Sequence, residues 1–139
     1  MTSIGEATSF KNNIPIADCR ADGVIISSQV GSTGYALSAG GPILDPELNA
    51  FVLSPVCPIT FMRPIVFSTN SQVAVELLDP KIAKVVIDGD YQKPIGKKNR
   101  LVLIKISEHK SSFIRFEGHF YQRLKTRLLF SKEEEYENE

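Results

Sequence analysis

The sequence predicts a mainly β domain, a two-layer antiparallel β-sandwich-like arrangement with one short loop-helix and one C-terminal helix. Short runs rich in β-branched and apolar residues recur along the chain between Gly, Pro, Asn or Ser breakers. Strands at such close spacing fold as packed antiparallel sheets. Helical patterns are confined to two short stretches. The 139 residues suffice for one core that buries about two-thirds of the unfolded surface without staples.

In chain order, Met-Thr-Ser-Ile-Gly-Glu reads as the approach to a strand, with Met1 an internal boundary or an artificial start. Ile14 to Cys19 and Val24 to Ser28 are predicted strands, paired through a turn or bulge at Arg20-Ala21-Asp22-Gly23. A helix is expected from Ser32 or Thr33 to Ser38, begun by a hydroxyl residue able to cap it and ended by Gly40-Gly41-Pro42. Further strands are expected at Phe51 to Ser54, Ile65 to Ser68, Val73 to Leu78, Lys84 to Asp88, Leu101 to Ser107 and Ser112 to Phe116. The last helix, His119 to Leu129, repeats Phe120, Leu124 and Leu128 every four residues, an apolar stripe suited to core packing. Residues 131–139 form an acidic tail whose only apolar residue is Tyr136, so disorder is expected there.

Function is most legible between Asp22 and Pro42. An apolar strand runs into Gly31-Ser32-Thr33-Gly34, which opens a helix, an arrangement that aims backbone N–H groups at an anionic or polar ligand. No Lys follows the second Gly as in a P-loop, and the GxGxxG spacing is absent. Thr33 and Ser38 offer hydroxyls, and the glycines remove Cβ atoms that hold a ligand off the backbone. Tyr35 offers an aromatic face with a polar tip, and Tyr35 and Ser38, three apart, share a helix face. The residue types alone fit equally well a tight strand-to-helix connection.

Asp22-Gly23, Gly31-Ser32-Thr33-Gly34-Tyr35 and Ser38-Ala39-Gly40-Gly41-Pro42 closely resemble the Asp-Gly…Gly-Ser-Thr-Ala-Tyr…Ser-Ala-Gly-Gly-Pro stretch of the C-terminal domain of NAD kinases. Ser54-Pro55-Val56-Cys57-Pro58, Arg63-Pro64 and Asp88-Gly89 follow in the family's order. Gln29 stands where Pro is usual, Gly34 where Ala is usual, and Ile59-Thr60 where His-Ser is common. The resemblance implies that Thr33, Gly34, Tyr35 and Ser38 line a site for NAD or NADP, with Asp22 on the nicotinamide side. Gly31, Cys57, Asp88 and Gly89 are further candidates, the last three across a subunit boundary. Read locally, Asp22-Gly23 and Asp88-Gly89 are turn pairs and Cys57 is a buried structural thiol. Arg63-Pro64 reads as structural, and His109 and His119 as surface or helix-start residues.

The same resemblance makes residues 1–130 the NAD-binding, oligomerising domain of an enzyme that transfers a phosphoryl group from ATP or polyphosphate, with Mg²⁺, to the adenosine ribose 2′-hydroxyl of NAD. The family's catalytic Gly-Gly-Asp-Gly loop, which sits in an N-terminal α/β domain, is not found in this sequence. No catalytic residue or metal ligand is therefore expected here, and the chain should bind NAD or NADP without phosphorylating it. A homodimer or homotetramer is implied. Two alternatives are a domain related to lipid or sphingoid-base kinases and a non-catalytic regulatory or assembly module.

Composition narrows the rest. Cys19 and Cys57 match no metal-ligand spacing, which favours reduced thiols and a cytoplasmic setting. The longest apolar stretch, Ala50 to Met62, is broken by Pro55 and Pro58 and is too short to span a membrane. No secretory signal is visible at the N-terminus. Basic residues cluster late in the chain, but in Leu103-Ile104-Lys105-Ile106 they alternate with apolar ones as on a solvated strand face, which argues against a nucleic-acid surface.

Overall fold

The computed structural model describes residues 5–78, 83–114 and 119–129. The chain divides into two compact units, Met1–Ile106 and Ser107–Glu139. Among the described residues the first unit holds the strands β1 (Gly5–Lys11), β2 (Ile14–Ala21), β3 (Gly23–Ser28), β4 (Ala50–Val56), β5 (Ile65–Ser68), β6 (Val73–Leu77), β7 (Ala83–Ile87), β8 (Tyr91–Ile95) and β9 (Leu101–Ile104). They pair antiparallel as a four-stranded sheet, β2-β1-β6-β9, a three-stranded sheet, β3-β4-β5, and a two-stranded ribbon, β7-β8. The mainly β, antiparallel expectation is met.

The two larger sheets face each other. Phe51, Leu53 and Phe67 from the three-stranded sheet cluster with Val73 of β6, and Ile16, Val24, Ile26, Ile65 and Ile104 pack around them. The pleat alternates side chains between faces, so Ala50, Val52 and Ser54 point away from this core. Ala50 and Val52 build a second cluster with Ala36 and Leu44, against which Ile25 packs. Strand β4 is therefore buried on both faces, and its sequence, Ala-Phe-Val-Leu-Ser-Pro, is a near-continuous apolar run instead of an alternation. Pro55 is compatible with this central position. Val56 turns its carbonyl toward the β3 side, where it accepts from Asp22 N–H at 3.0 Å. Pro55 consequently faces the β5 side, where pairing has already stopped at Leu53↔Ile65.

Several elements depart from the sequence reading. Strands β2 and β3 do not pair with each other; they lie in different sheets, and residues 20–23 carry the chain from one layer to the other. The partner of β2 is β1, a strand indicated in the sequence only by the approach at its start. They are joined at Lys11↔Ile14 by Asn12 and Asn13, with φ of 50° and 66°. Asn tolerates this left-handed region, which matches a hairpin turn to the strand twist. Strand β8, Tyr-Gln-Lys-Pro-Ile, has too little apolar character and a Pro against it, and forms as half of a ribbon. The strand expected to Ser107 ends at Ile104; of the strand expected at Ser112 to Phe116, residues 112–114 are not strand and residues 115–116 lie outside the described residues. On β9 the exposed positions are Leu101 and Leu103, so the late basic residues do not form the solvated face of that strand.

In the second unit, Phe120–Leu124 is α-helical and Lys125–Leu129 continues as a wider π turn. His119 is extended at φ −81° and ψ 149°, consistent with a helix start, and its N–H donates to Gln122 Oε1 at 3.4 Å. Leu124 is buried as the stripe requires. The side chain of Leu128 and the acidic tail lie outside the described residues.

Leu53→Ala should lower the free energy of unfolding by about 2–5 kcal/mol, because the side chain is fully buried between the sheets. Val66→Ala on the exposed outer face of β5 should stay within about 0.5 kcal/mol. Urea unfolding of both variants checks this, and equal losses would contradict the placement of the inter-sheet core.

Candidate functional site

The chain leaves β3 at Ser28 and folds back over the outer face of the three-stranded sheet. It does so through a 3₁₀ turn, Gly31–Thr33, and a one-turn helix, α1 (Tyr35–Ser38). Gly31 sits where a Cβ would come 3.1 Å from Ser27 Cβ, so the first bend depends on a missing side chain. Between the two turns Gly34 has φ −96° and ψ −132°, and its N–H bonds back to Gly31 O at 3.0 Å. The expected single helix is thus two turns separated by Gly34.

The far end of α1 closes by backbone geometry. Gly40, at φ 82°, donates its N–H to Leu37 O at 2.9 Å, and Gly41 donates to Ala36 O at 2.8 Å. These are the two bonds of a Schellman stop, with Pro42 immediately after it. Gly41 is also clamped: a Cβ there would lie 2.6 Å from Ser54 Oγ and 2.7 Å from Ala36 O. Ala36 is buried in a cluster with Leu44, Ala50 and Val52, against which Ile25 packs, so α1 is seated on the sheet by its one buried side chain.

No hydroxyl caps α1. Thr33 Oγ1 donates instead to Val30 O at 3.3 Å, inside the 3₁₀ turn. Gly34, Leu37 and Ser38 spend their N–H groups on carbonyls within the loop, and a four-residue helix is too short to sum an appreciable dipole. The dipole part of the expected anion-binding helix start is therefore small in this loop. What it offers is side chains: Tyr35 is 69% exposed, Ser38 is exposed beside it, and Thr33 is half-buried at its edge. The sequence reading missed Ser32, which is wholly buried and bonded on two sides, to Gln29 O at 2.7 Å and from Leu44 N at 3.0 Å. Nothing in its residue type distinguished it from the hydroxyls around it.

The remaining candidates fall in two other places. Asp22 is exposed at the opposite end of β3, its N–H held by Val56 O, which brings it beside Cys57 at the end of β4. Cys57 is exposed, with φ 47°, which corrects its local reading as a buried thiol. The backbone leaves β4 there in a left-handed bend that carries Ile59 back to donate to Arg20 O at 2.8 Å. The buried thiol is Cys19. Desolvation pushes its pKa up, and a hydrogen bond with the Thr60 side chain pulls the other way. Asp88 and Gly89, at φ 50° and 79°, turn the β7-β8 ribbon, with Asp90 N–H bonding Ile87 O at 3.1 Å. Their local reading as a hairpin turn holds.

Residues 7–116 match the model of the ATP-NAD kinase C-terminal domain. The chain belongs to that family. It is 41% identical over 116 residues to the NAD kinase of Methanothermobacter thermautotrophicus, covering 82% of this chain and 41% of the relative. It is 38% identical over 116 residues to the bifunctional NADP phosphatase/NAD kinase of Methanocaldococcus jannaschii, covering 83% of this chain and 20% of the relative. Among solved structures, the NAD kinase from Archaeoglobus fulgidus in complex with ATP superposes with a TM-score of 0.68 at 34% identity, covering 76% of this chain and 41% of that one. Yeast NADH kinase complexed with NADH shares the fold, with a TM-score of 0.61 at 24% identity, over 75% of this chain and 31% of that one. The chain thus spans less than half the length of these relatives.

In this NAD kinase domain, Gly41→Ala should destabilise by about 1–3 kcal/mol, since backbone on one side and a buried hydroxyl on the other leave no room; thermal melting checks it. Iodoacetamide near pH 8 should label Cys57 in the native chain and spare Cys19 until denaturant is added, because burial both shields Cys19 and raises its pKa. Peptide mass mapping that found Cys19 labelled first would contradict this arrangement.

Proposed function

We propose that this chain is the acceptor-binding half of a NAD kinase, and that the loop from Gly31 to Ser38 is the seat of the NAD adenosine moiety. The observation that carries the reading is Tyr35. A large aromatic ring stands 69% exposed on a single helical turn whose neighbour Ala36 is locked into the sheet. Such a ring, held from below, suits stacking on a flat base. Ser38 on the same exposed face and Thr33 at the edge supply hydroxyls that donate or accept, and Gly31 and Gly34 let a ligand approach the backbone. Asp22 is assigned to the nicotinamide side. Membership of the ATP-NAD kinase C-terminal domain family supports each of these assignments.

Phosphoryl transfer depends mostly on positioning and charge neutralisation. In our reading this chain orients the ribose 2′-hydroxyl of NAD, while the base and the donor-phosphate loop come from the N-terminal α/β domain. The described residues hold no group of three or more His, Cys, Asp or Glu able to bind a metal ion. In our reading Mg²⁺ and the donor, ATP or polyphosphate, are held by the same N-terminal domain. The 139 residues bind NAD or NADP and do not turn over.

We further propose that residues 1–130 form the assembly domain of a homodimer or homotetramer. Ile59 and Phe61 in the Pro55 to Phe61 segment support this, Phe61 being 88% exposed with the Arg63 guanidinium 5.3 Å from its ring centroid. In such an assembly Cys57, Asp88 and Gly89 meet a neighbouring subunit's ligand. No described helix is long and apolar enough to cross a membrane, and the two free thiols suit a reducing, cytoplasmic setting.

Calorimetric titration with NAD tests the seat. Tyr35→Ala should weaken binding about tenfold or more while leaving the melting temperature nearly unchanged, since the ring is exposed. An unaltered dissociation constant would remove Tyr35 from the site. Adding ATP and NAD to the purified chain should give no NADP in a dehydrogenase-coupled assay.

A further inference from the structure

We propose that Ser32, whose side chain is wholly buried, is the positioning residue of the acceptor seat; this rests on reading the Gly31 to Ser38 loop as that seat. Its hydroxyl accepts a hydrogen bond from Leu44 N–H at 3.0 Å and donates one to Gln29 O at 2.7 Å, and the side chain is wholly buried. One oxygen thus ties the bend entering the loop to the segment leaving it, twelve residues further on.

The Leu44 end of this tie is itself fixed. Leu44 belongs to the cluster of Ala36, Ala50 and Val52 on the outer face of the sheet. Ser32 therefore transmits the position of strand β4 to the loop at a point between Gly31 and Thr33, just before the half-buried Thr33 and the exposed Tyr35. The other fixings lie beyond Tyr35, in buried Ala36 and in the Gly40 and Gly41 hydrogen bonds. On the approach side, the Thr33 hydroxyl donates to Val30 O and Gly31 N–H reaches Ser28 Oγ at 3.5 Å, both within the same bend. Among the described hydrogen bonds, Ser32 to Leu44 is the side-chain bond that ties this bend to a distant segment. Without it, the 3₁₀ turn and Gly34 are free to swing about the sheet end, and Thr33 and Tyr35 lose their common pose.

Ser32→Ala removes the oxygen and little else. In the purified 139-residue chain, at a temperature where circular dichroism shows the variant folded, the Leu44 amide should exchange with deuterium about tenfold faster or more, and the dissociation constant for NAD should rise about tenfold. Val73→Ala, which opens the inter-sheet core far from the loop, serves as a control of lowered stability. It should shift the melting temperature while leaving the NAD dissociation constant within about twofold. Should Ser32→Ala fail to fold, Ser32→Cys keeps a weak donor and acceptor at the position and should show the same two changes to a smaller degree.

A folded Ser32→Ala or Ser32→Cys chain that binds NAD as the unaltered chain does overturns the inference, as does equal weakening by Val73→Ala. If the unaltered chain does not bind NAD at all, the seat itself is refuted and the positioning role falls with it. That result is told apart by its appearance before any substitution is made.

Discussion

Burial of β4 on both faces is the constraint on which the rest of the domain stands. Val52 and Leu53, adjacent in sequence, are both fully buried, one under the loop-helix and one between the sheets. At about 25 cal/mol per Å² of apolar surface withdrawn from water, such a strand contributes on both sides at once, whereas a surface strand contributes on one. Strand β4 is also the middle strand of its sheet, so its backbone groups find partners on β3 and β5. Among the described residues, the loop packs on this strand and its neighbour β3.

Close approach is the second theme. Gly31 and Gly41 stand where the chain comes nearest to the sheet, Gly31 over Ser27 and Gly41 over Ser54. Small residues on both sides of these contacts let a turn of helix lie almost on the backbone of the sheet. The hydroxyls of Ser27 and Ser54 are buried there and make no hydrogen bond among the described residues. Their value at these positions is their size, since larger side chains would lift the loop. Tyr35 points outward because the inward position beside it holds only Ala36.

Much of this was readable from the residues. The strands at Val24, Ile65 and Val73 announced themselves by β-branched runs between breakers, and Asp-Gly and Gly-Gly-Pro marked bends that exist. The ordered motifs carried the family assignment. Other features depend on what lies far away in sequence. Nothing in Arg20 to Gly23 says that the strands on either side belong to different sheets; that follows from β2 finding β1 and β3 finding β4. The polar β8 is a strand only because the turn at Asp88 and Gly89 folds it onto β7. Cys57 looked buried because its neighbours are apolar, yet Val56 ends the strand and the left-handed bend after it turns the thiol outward. Ser32 and Thr33 are chemically alike, and only the position of Leu44, set by the packing of Ala50 and Val52, makes one an anchor and leaves the other at the edge of the loop.

The pleat of β4 sorts its side chains into two populations that never touch: Phe51 and Leu53 fill the interior between the sheets, while Val52 and Ser54 support the loop. Substitutions at the even-numbered positions can therefore alter the seating of the loop without disturbing the odd-numbered ones. On the proposed reading of the loop as a dinucleotide seat, a lineage exchanging one dinucleotide for another has a route that leaves the sandwich intact.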